Sequence, residues 1–350
     1  MKREIWDHEF RLYQGRPDPI YQNMMMCRDK SWMAVCKGRL SRKELLCASL
    51  HDLLPGLVED PQGRYLSMEL SDWADHGLCE YRFFEGSFEE KMTFMAQLLE
   101  RGEPVFVGTM HPLLPFSARY NPKIDRTNYT QPNHIFVILG EEEGRYVYFD
   151  TSSIKSEAFV PYPNNSELGW IEKETVDEVL KQLFQLAYVV WNEGAKESLM
   201  QYGRQILKEY AASYGSTAGQ PWQGNELVTG TWYWGRRAIE GLKRHLERTD
   251  LDLSLPSWEF EFIDQGDLLN WKLTDLATRR NMMAMWLEQE GCSEQAELWK
   301  EAAELWNRLS TFLLYRRERR KYGTHPRFGE ILSRILEIED KIYSLFNNFA

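Results

Sequence analysis

The sequence predicts an α+β protein, with a mixed domain in the first half and an all-helical domain in the second. Up to about residue 190, helical spacing as in "FEEKMTFMAQLLERG" alternates with the short apolar runs "PVFVGTM", "HIFVILG" and "RYVYFD". From about residue 195 onward, segments such as "EQAELWKEAAELWNRLSTFLLYRRERRK" place apolar residues every three or four positions, and strand signals nearly vanish. We therefore expect one domain over residues 1–190 and a helical domain over residues 191–350.

Turn-forming residues separate the predicted elements of the first domain. Gly102 and Pro104 end a helix just before the strand "PVFVG". The segment "EEEGR" provides the turn of a hairpin between "HIFVILG" and "RYVYFD". In the second half, "GSTAGQPWQGNELVTG" is rich in glycine but lacks the lysine and the preceding strand of a phosphate-binding loop, so it predicts a loop between helices.

Composition and charge exclude several classes of protein. The chain has 350 residues, of which 43% are hydrophobic and 27% charged, as is typical of a soluble globular protein. Its net charge of −11 argues against non-specific binding to nucleic acid. The charged start "MKREIWDHEF" and the lack of any long apolar run predict a cytoplasmic protein without a membrane span. The five cysteines contain no CxxC pair, so we expect neither a disulfide framework nor a metal site.

The predicted hairpin carries a histidine and an aspartate at its open end. His134 begins the first strand, and Asp150 follows the second strand sixteen positions later. Those two ends lie side by side in an antiparallel pair, so the imidazole and the carboxylate are expected to meet. A buried carboxylate beside a histidine fixes the ring tautomer and stabilises the imidazolium, which is the supporting half of a catalytic triad.

Cys27 is the candidate nucleophile that would complete such a triad. It precedes a predicted helix from about Arg28 to Lys37, and a helix N-terminus together with a protonated histidine lowers a thiol pKa. Gln22 lies five residues upstream and is the candidate oxyanion donor, beside the backbone N–H of Cys27. Cys36 and Cys47 lie inside predicted amphipathic helices, where a structural role is favoured.

An early cysteine is followed by the segments "GEPVFVGT", "LLPFSARY" and "NHIFVILGEEEGRYVYFD" and by a helical C-terminal half. The order of these features resembles the butirosin biosynthesis protein H family. That family consists of papain-like cysteine acyltransferases related in fold to bacteriocin-processing cysteine peptidases. The resemblance implies a papain-like cysteine protease fold for the first domain, with Cys27 as nucleophile, His134 as general base and acid, and Asp150 as its orienter. Two departures are a Met26 where the family commonly has histidine, and the loss around Gly108 to Met110 of an aspartate often found there.

The same resemblance implies an activity and its partners. An acyl or peptidyl carrier protein would deliver the acyl group as a thioester on its phosphopantetheine arm, and a small-molecule amine would accept it during natural-product biosynthesis. No further cofactor and no metal are implied. One wall of the acyl pocket would come from the segment between Pro112 and Tyr120, with the side chains of Pro112, Leu114, Phe116 and Tyr120.

A basic run near the end of a predicted helix has two interpretations. It consists of Arg316, Arg317, Arg319, Arg320 and Lys321. One interpretation is a solvated helix end whose charge complements the helix dipole. The other is a docking surface for an acidic carrier protein.

Three functional classes remain open from the sequence. The first is the acyltransferase. The second uses the same Cys-His-Asp triad for intramolecular cyclisation or for hydrolysis, as a cyclase, thioesterase or peptidase. The third is a scaffold that keeps the fold and has lost the chemistry.

Overall fold

The computed structural model describes residues 9–24, 27–36, 38–70, 77–114, 117, 123, 132, 134–151, 159–163, 165–224, 228–248, 251–259 and 263–347. The helices are α1 (Pro19–Gln22), α2 (Cys27–Cys36), α3 (Arg42–Ala48), α4 (Phe88–Glu100), α5 (Lys173–Leu180), α6 (Lys196–Leu199), α7 (Tyr202–Ser213), α8 (Arg236–Glu247), α9 (Gln265–Gln289), α10 (Ser293–Glu318) and α11 (Pro326–Asn347). Short 3-10 helices cover His111–Leu113 and Glu193–Ala195. Within the described ranges, no helix has the length and apolar content needed to cross a lipid bilayer.

The strands are β1 (Leu12–Tyr13), β2 (Arg16–Pro17), β3 (Gly56–Glu59), β4 (Tyr65–Glu69), β5 (Cys79–Phe84), β6 (Val105–Thr109), β7 (His134–Glu142), β8 (Arg145–Phe149), β9 (Phe159–Tyr162), β10 (Asn165–Glu172), β11 (Gln185–Trp191), β12 (Gln220–Gln223) and β13 (Thr229–Trp234). They form a two-stranded, a seven-stranded and a four-stranded sheet. This mixture of helices and sheets confirms the predicted α+β class, and the C-terminal region is mainly helical.

The chain divides into two compact units, and both are discontinuous in sequence. The first contains Met1–Leu45 and His76–Leu199, and the second contains Leu46–Asp75 and Met200–Ala350. The division expected at residue 190 therefore differs from the observed one, which lies at residue 199 and assigns an early segment to the second unit. Periodicity reports only on local structure, so it gave no sign that β3 pairs with β13, far along the chain.

The first unit is built on the seven-stranded sheet, with strand order β5-β11-β6-β7-β8-β10-β9. Its observed pairings are antiparallel. Strands β6 and β7 pair near its middle, and Thr109 lies opposite His134. Helices α2 and α4 both contact β7, so the apolar residues of this strand are covered by helices.

Helix α4 forms where the sequence supplies both a start and a stop signal. Ser87 and Glu90 form a capping box, in which each side chain accepts a hydrogen bond from the backbone N–H of the other. Gly102 follows the helix with φ of 74°, a conformation that favours glycine and ends the helix as predicted. The helix buries Leu98 and Leu99 in the core of the first unit.

That core is apolar and surrounds the middle of the sheet. It contains side chains from α4, β6, β7, β8 and α5, among them Val105, Val107, Phe136, Ile138, Tyr146, Tyr148, Val176 and Val179. Burial of each large apolar side chain contributes roughly 1.5–3 kcal/mol to the free energy of folding. The central strands are therefore a well-anchored part of the first unit, and they carry the candidate site at one end.

The second unit contains the four-stranded antiparallel sheet, with strand order β12-β13-β3-β4. An all-helical second domain was expected, and this expectation was wrong for β12 and β13. The segment "GTWYWGRRAIEGLKRHLER" also has helical spacing, and the aromatic residues at its start hide the alternation of strand β13. Gly235, with φ of 61°, separates β13 from α8 within that segment.

The long helices of the second unit are joined by a buried polar cluster. Glu339 on α11 accepts hydrogen bonds from Arg280 on α9 at 2.6 Å, from Trp306 on α10 at 2.8 Å and from Tyr210 on α7 at 2.7 Å. Arg280 and Glu339 are completely buried. Removal of either partner from such a pair would leave an uncompensated buried charge, at a cost of about 3–5 kcal/mol.

Candidate active site

His134 and Asp150 meet at the open end of the β7–β8 hairpin. Nε2 of His134 lies 3.0 Å from each carboxylate oxygen of Asp150. Both side chains are buried, with exposed fractions of 2% for His134 and 0% for Asp150. With Nε2 donating to the carboxylate, the second ring nitrogen, Nδ1, is the atom that remains for a nucleophile.

The hairpin places these side chains on one face of the sheet. Glu143 and Gly144, at the turn between β7 and β8, have φ of 51° and 77°, the left-handed values found in tight two-residue hairpin turns. Ile138 pairs with Tyr148, so alternation along each strand puts His134 and Asp150 on the same side as this pair. The predicted meeting of histidine and aspartate follows from this register.

Tyr148 supports the carboxylate of Asp150. Its hydroxyl donates a hydrogen bond of 2.5 Å to Oδ2 of Asp150, and both groups are buried. Burial and the adjacent carboxylate raise the pKa of Tyr148 well above its ordinary value, so this hydroxyl stays a donor. Asp150 is therefore held from two sides, by His134 and by Tyr148.

Cys27 is the first residue of helix α2, close to the predicted start. Most residues of α2 are buried, including the whole run "SWMAVC". The helix packs against β7, the strand that begins with His134. Cys27 itself is only partly buried. The N–H groups of the first helical turn have no partners within the helix, so the thiol sits at the positive end of the helix dipole.

Charge and hydrogen bonding couple Cys27 to His134. Burial would raise the pKa of the Cys27 thiol. His134 opposes this through a hydrogen bond and its positive charge, and the backbone N–H of Ile135 adds a further hydrogen bond, so the pKa of Cys27 is lowered. Burial would likewise lower the pKa of His134, but Asp150 and Cys27 outweigh it and raise this pKa to about 10. The direction of both shifts favours a thiolate–imidazolium pair.

Nδ1 of His134 is a buried nitrogen without a hydrogen-bond partner of ordinary geometry in the described part of the chain. A buried polar atom of this kind calls for a physical explanation. The interaction between the Cys27 thiol and the His134 ring provides one, because Nδ1 is then the atom that exchanges a proton with sulfur. Cys27, His134 and Asp150 are thus brought together as predicted.

The thiol pKa values of Cys36 and Cys79 are raised, whereas that of Cys27 is lowered. Cys36 is completely buried at the end of α2, and burial raises its pKa well above the ordinary value. Cys79 lies on β5 and accepts a hydrogen bond from Trp32, and burial raises its pKa too. Neither environment favours a reactive thiolate.

The remaining predicted site residues differ in how far they are exposed to solvent. Gln22 is the exposed last residue of α1, and its side chain forms no hydrogen bond within the described residues. Pro112 is partly exposed in the 3-10 helix after β6. Leu114 is completely buried in the apolar core, so its side chain does not line an open pocket. Phe116 and Tyr120 lie outside the described residues.

Two residues of the site were not predicted from the sequence. Tyr148 had a detectable signal, since a residue two positions before Asp150 on a strand shares its face. His111 follows β6, and its ring stacks on that of His134 with 3.7 Å between the ring centroids and 28° between the planes. Its contact arises in a short 3-10 helix that periodicity does not reveal.

The basic run of the second unit divides into two groups. Arg316 donates to the carbonyl oxygens of Gly323 and Thr324, and Arg317 forms ion pairs with Asp264 at 3.1 Å and Asp267 at 2.5 Å. These two arginines hold local structure. Arg319, Arg320 and Lys321 are exposed at the end of α10, where Arg319 lies over the ring of Tyr315.

Comparison with protein-family models and with curated proteins gives no match for this chain. Among the described residues, histidine, cysteine, aspartate and glutamate form no group of three or more with the arrangement of a metal site. The chemistry of the candidate site therefore has to be inferred from its own geometry, namely a thiol at a helix N-terminus, a histidine and a buried carboxylate.

Proposed function

We propose that this protein is a cysteine acyltransferase, which moves an acyl group from a carrier-protein thioester to a small-molecule amine through an acyl-enzyme on Cys27. The observation that carries the proposal is the coupling of the Cys27 thiol to His134, whose Nε2 is held 3.0 Å from the carboxylate of Asp150. Nucleophile, base and orienter are the parts that covalent acyl transfer requires.

In the first half of the reaction, the Cys27 thiolate attacks the thioester carbonyl. The carbonyl oxygen becomes an oxyanion, which the N–H groups at the start of α2 stabilise. Gln22 is proposed as a further donor, although its side chain would have to turn toward Cys27 from its exposed position. The intermediate collapses, the carbon–sulfur bond to the carrier arm breaks, and the departing thiolate takes the proton from His134.

In the second half, neutral His134 acts as a base. It removes a proton from the attacking amine while the amine nitrogen bonds to the acyl carbon. The bond from this carbon to Cys27 sulfur then breaks, which gives an amide and restores the thiolate–imidazolium pair. Asp150 keeps the imidazole in one orientation through both halves, with Tyr148 donating to its second oxygen.

The antiparallel sheet and the buried α2 that starts at the nucleophile fit the papain-like fold implied by the resemblance to the butirosin biosynthesis protein H family. The same resemblance supports the amine acceptor and the carrier-bound donor. A cyclase, a thioesterase or a peptidase would share the first half-reaction and differ in the group that attacks the acyl-enzyme. A scaffold without activity has no need of a thiol with a lowered pKa.

Intact-mass measurement tests the proposal. The chain is incubated with acyl thioesters of N-acetylcysteamine and with acyl carrier proteins, and we expect a mass increase equal to one acyl group. Peptide mapping should place it on Cys27, and added primary amines should remove it as an amide. Cys27→Ser should abolish the thioester adduct, whereas the matched control Cys36→Ser should retain it, because Cys36 is buried with a raised pKa. An adduct on another cysteine, or none with any donor, would contradict the assignment.

A further inference from the structure

His111 covers one face of the His134 ring. The two imidazoles are stacked, with ring centroids 3.7 Å apart and planes inclined by 28°. This contact follows from the sheet, because β6 ends at Thr109, which lies opposite His134, and the 3-10 helix His111–Leu113 begins two residues later. Neither half of the proposed reaction assigns a task to His111.

Among the described residues, the Phe136 ring lies tilted beside His134 with 6.4 Å between the ring centroids, and the polar partners of the His134 ring lie in the plane of that ring. Nε2 is fixed by Asp150, and the Cys27 thiol interacts with the same ring. The torsion about the bond that joins an imidazole to its Cβ is broad, so contacts in the plane leave the tilt of the ring poorly defined. A second flat ring stacked on its face restricts this tilt.

His111 is itself anchored. Its Nδ1 lies 3.4 Å from the hydroxyl oxygen of Ser117, which is buried with an exposed fraction of 6%. Pro112, the next residue, restricts the backbone of the 3-10 helix. The histidine therefore stacks from a constrained segment and not from a freely rotating surface position.

We infer that His111 is a positioning residue for the proposed acyl transfer: its ring holds the imidazole of His134 in the orientation that serves both Cys27 and Asp150, and it favours the protonated form of His134. This inference rests on the proposed function. His111 acts through His134, and nothing in its assigned role requires contact with the substrate.

The preference for protonated His134 comes from the ring face. The face of a neutral aromatic ring carries negative charge density and attracts an adjacent cation. Among the residues that the structure describes, the other ionisable groups that face His134 are Cys27 from α2, Asp150 after β8 and, through Asp150, Tyr148 on β8. Asp150 and Cys27 raise the pKa of His134 to about 10, against burial. The stacked ring of His111, in its neutral form, would add to this preference for protonated His134.

The test follows the titration of His134 by NMR, which needs no substrate. The imidazole C–H signal of His134 is assigned by its absence from His134→Gln, and its pKa is measured in the parent chain, in His111→Ala and in His111→Phe. His111→Ala should lower the pKa of His134 by about half a unit to one unit, the size expected for loss of one cation–π contact. His111→Phe should restore most of this shift, because it keeps a flat ring.

The alkylation rate of Cys27 by iodoacetamide at pH 6 provides a second readout. It should fall several-fold in His111→Ala and recover in His111→Phe, while the melting temperatures of the two variants show whether the fold is kept. An unchanged His134 pKa in His111→Ala would overturn the inference and leave the proposed function intact. Equal losses in the alanine and phenylalanine variants would also overturn it, since they would reveal a merely structural role. A Cys27 thiol in the parent chain no more reactive than Cys36 or Cys79 would instead overturn the proposed function and this inference with it.

Discussion

At the scale of single residues, the site depends on burial as much as on charge. A buried carboxylate without partners would become neutral, but Asp150 lies against the His134 ring and accepts a hydrogen bond from Tyr148. Their mutual attraction is strong because little water separates them. Asp150 and Cys27, acting against burial, allow His134 to remain protonated far above its ordinary pKa of about 6.5.

The pH dependence of the reaction should report this pair. With a lowered thiol pKa and a His134 pKa raised to about 10, we expect kcat/KM to rise with pH through the thiol pKa and to fall as His134 loses its proton near pH 10. Asp150→Asn removes the charge that raises the His134 pKa, so the fall at alkaline pH should move to lower pH. The same variant should lower kcat by about 10³–10⁴-fold, because the amide does not fix the correct tautomer.

The control for this prediction is Asp177→Asn. Asp177 lies on α5 and accepts a hydrogen bond from Tyr146, so the change removes a carboxylate from the same unit without touching the site. Its pH profile should match that of the parent chain. An alkaline limb that stays near pH 10 in Asp150→Asn would show that His134 owes its raised pKa to another group.

At the scale of elements, local sequence patterns predicted the helices and turns whose ends are set by neighbouring residues. The β7–β8 hairpin, its turn and the stop of α4 at Gly102 have strong signals, and the sequence therefore predicted His134 beside Asp150. The start of α2 was also predicted, and with it the position of Cys27. The pairing of β3 with β13 was not predicted because it joins segments that are distant in sequence. The stacking of His111 on His134 was not predicted because periodicity does not reveal the short 3-10 helix that places His111.

The hairpin turn offers a test at this scale. Gly144 has φ of 77°, which side chains branched at Cβ adopt only with strain. Gly144→Val should therefore lower the free energy of unfolding by about 1–2 kcal/mol, whereas Gly144→Asn should cost less, since asparagine tolerates this region. Urea unfolding of the two variants measures the difference, and a valine variant as stable as the asparagine variant would indicate that the turn has another conformation.

At the scale of the whole molecule, the two units have different tasks in the proposal. The first contains the thiol, the histidine and the carboxylate, and the second contains the exposed basic residues at the end of α10. The sequence predicted the basic run but not its division, because ion pairs of Arg317 with Asp264 and Asp267 depend on the tertiary fold. Only Arg319, Arg320 and Lys321 among the five are suited to an external partner.

The last prediction concerns these three side chains. The chain has a net charge of −11, so an acidic carrier protein would be repelled by its average surface and would have to dock on a local basic patch. Charge reversal at Arg319, Arg320 and Lys321 should raise KM for a carrier-bound donor by about tenfold, since exposed charge pairs each contribute a few tenths of a kcal/mol. KM for the N-acetylcysteamine thioester should stay unchanged, because this donor has no carrier surface.

A matched control separates the patch from the change in net charge. The control variant reverses the charge of three other exposed basic residues of the same unit, Lys208, Arg308 and Lys341, and so alters the net charge by the same amount. This variant should leave KM for both donors near the parent value. Added salt should weaken the reaction of the carrier-bound donor selectively, because charges are screened over about 8 Å at physiological ionic strength. Equal effects of the two triple variants would mean that only net charge matters. No effect of either would mean that the three residues form a solvated helix end and that a carrier docks elsewhere.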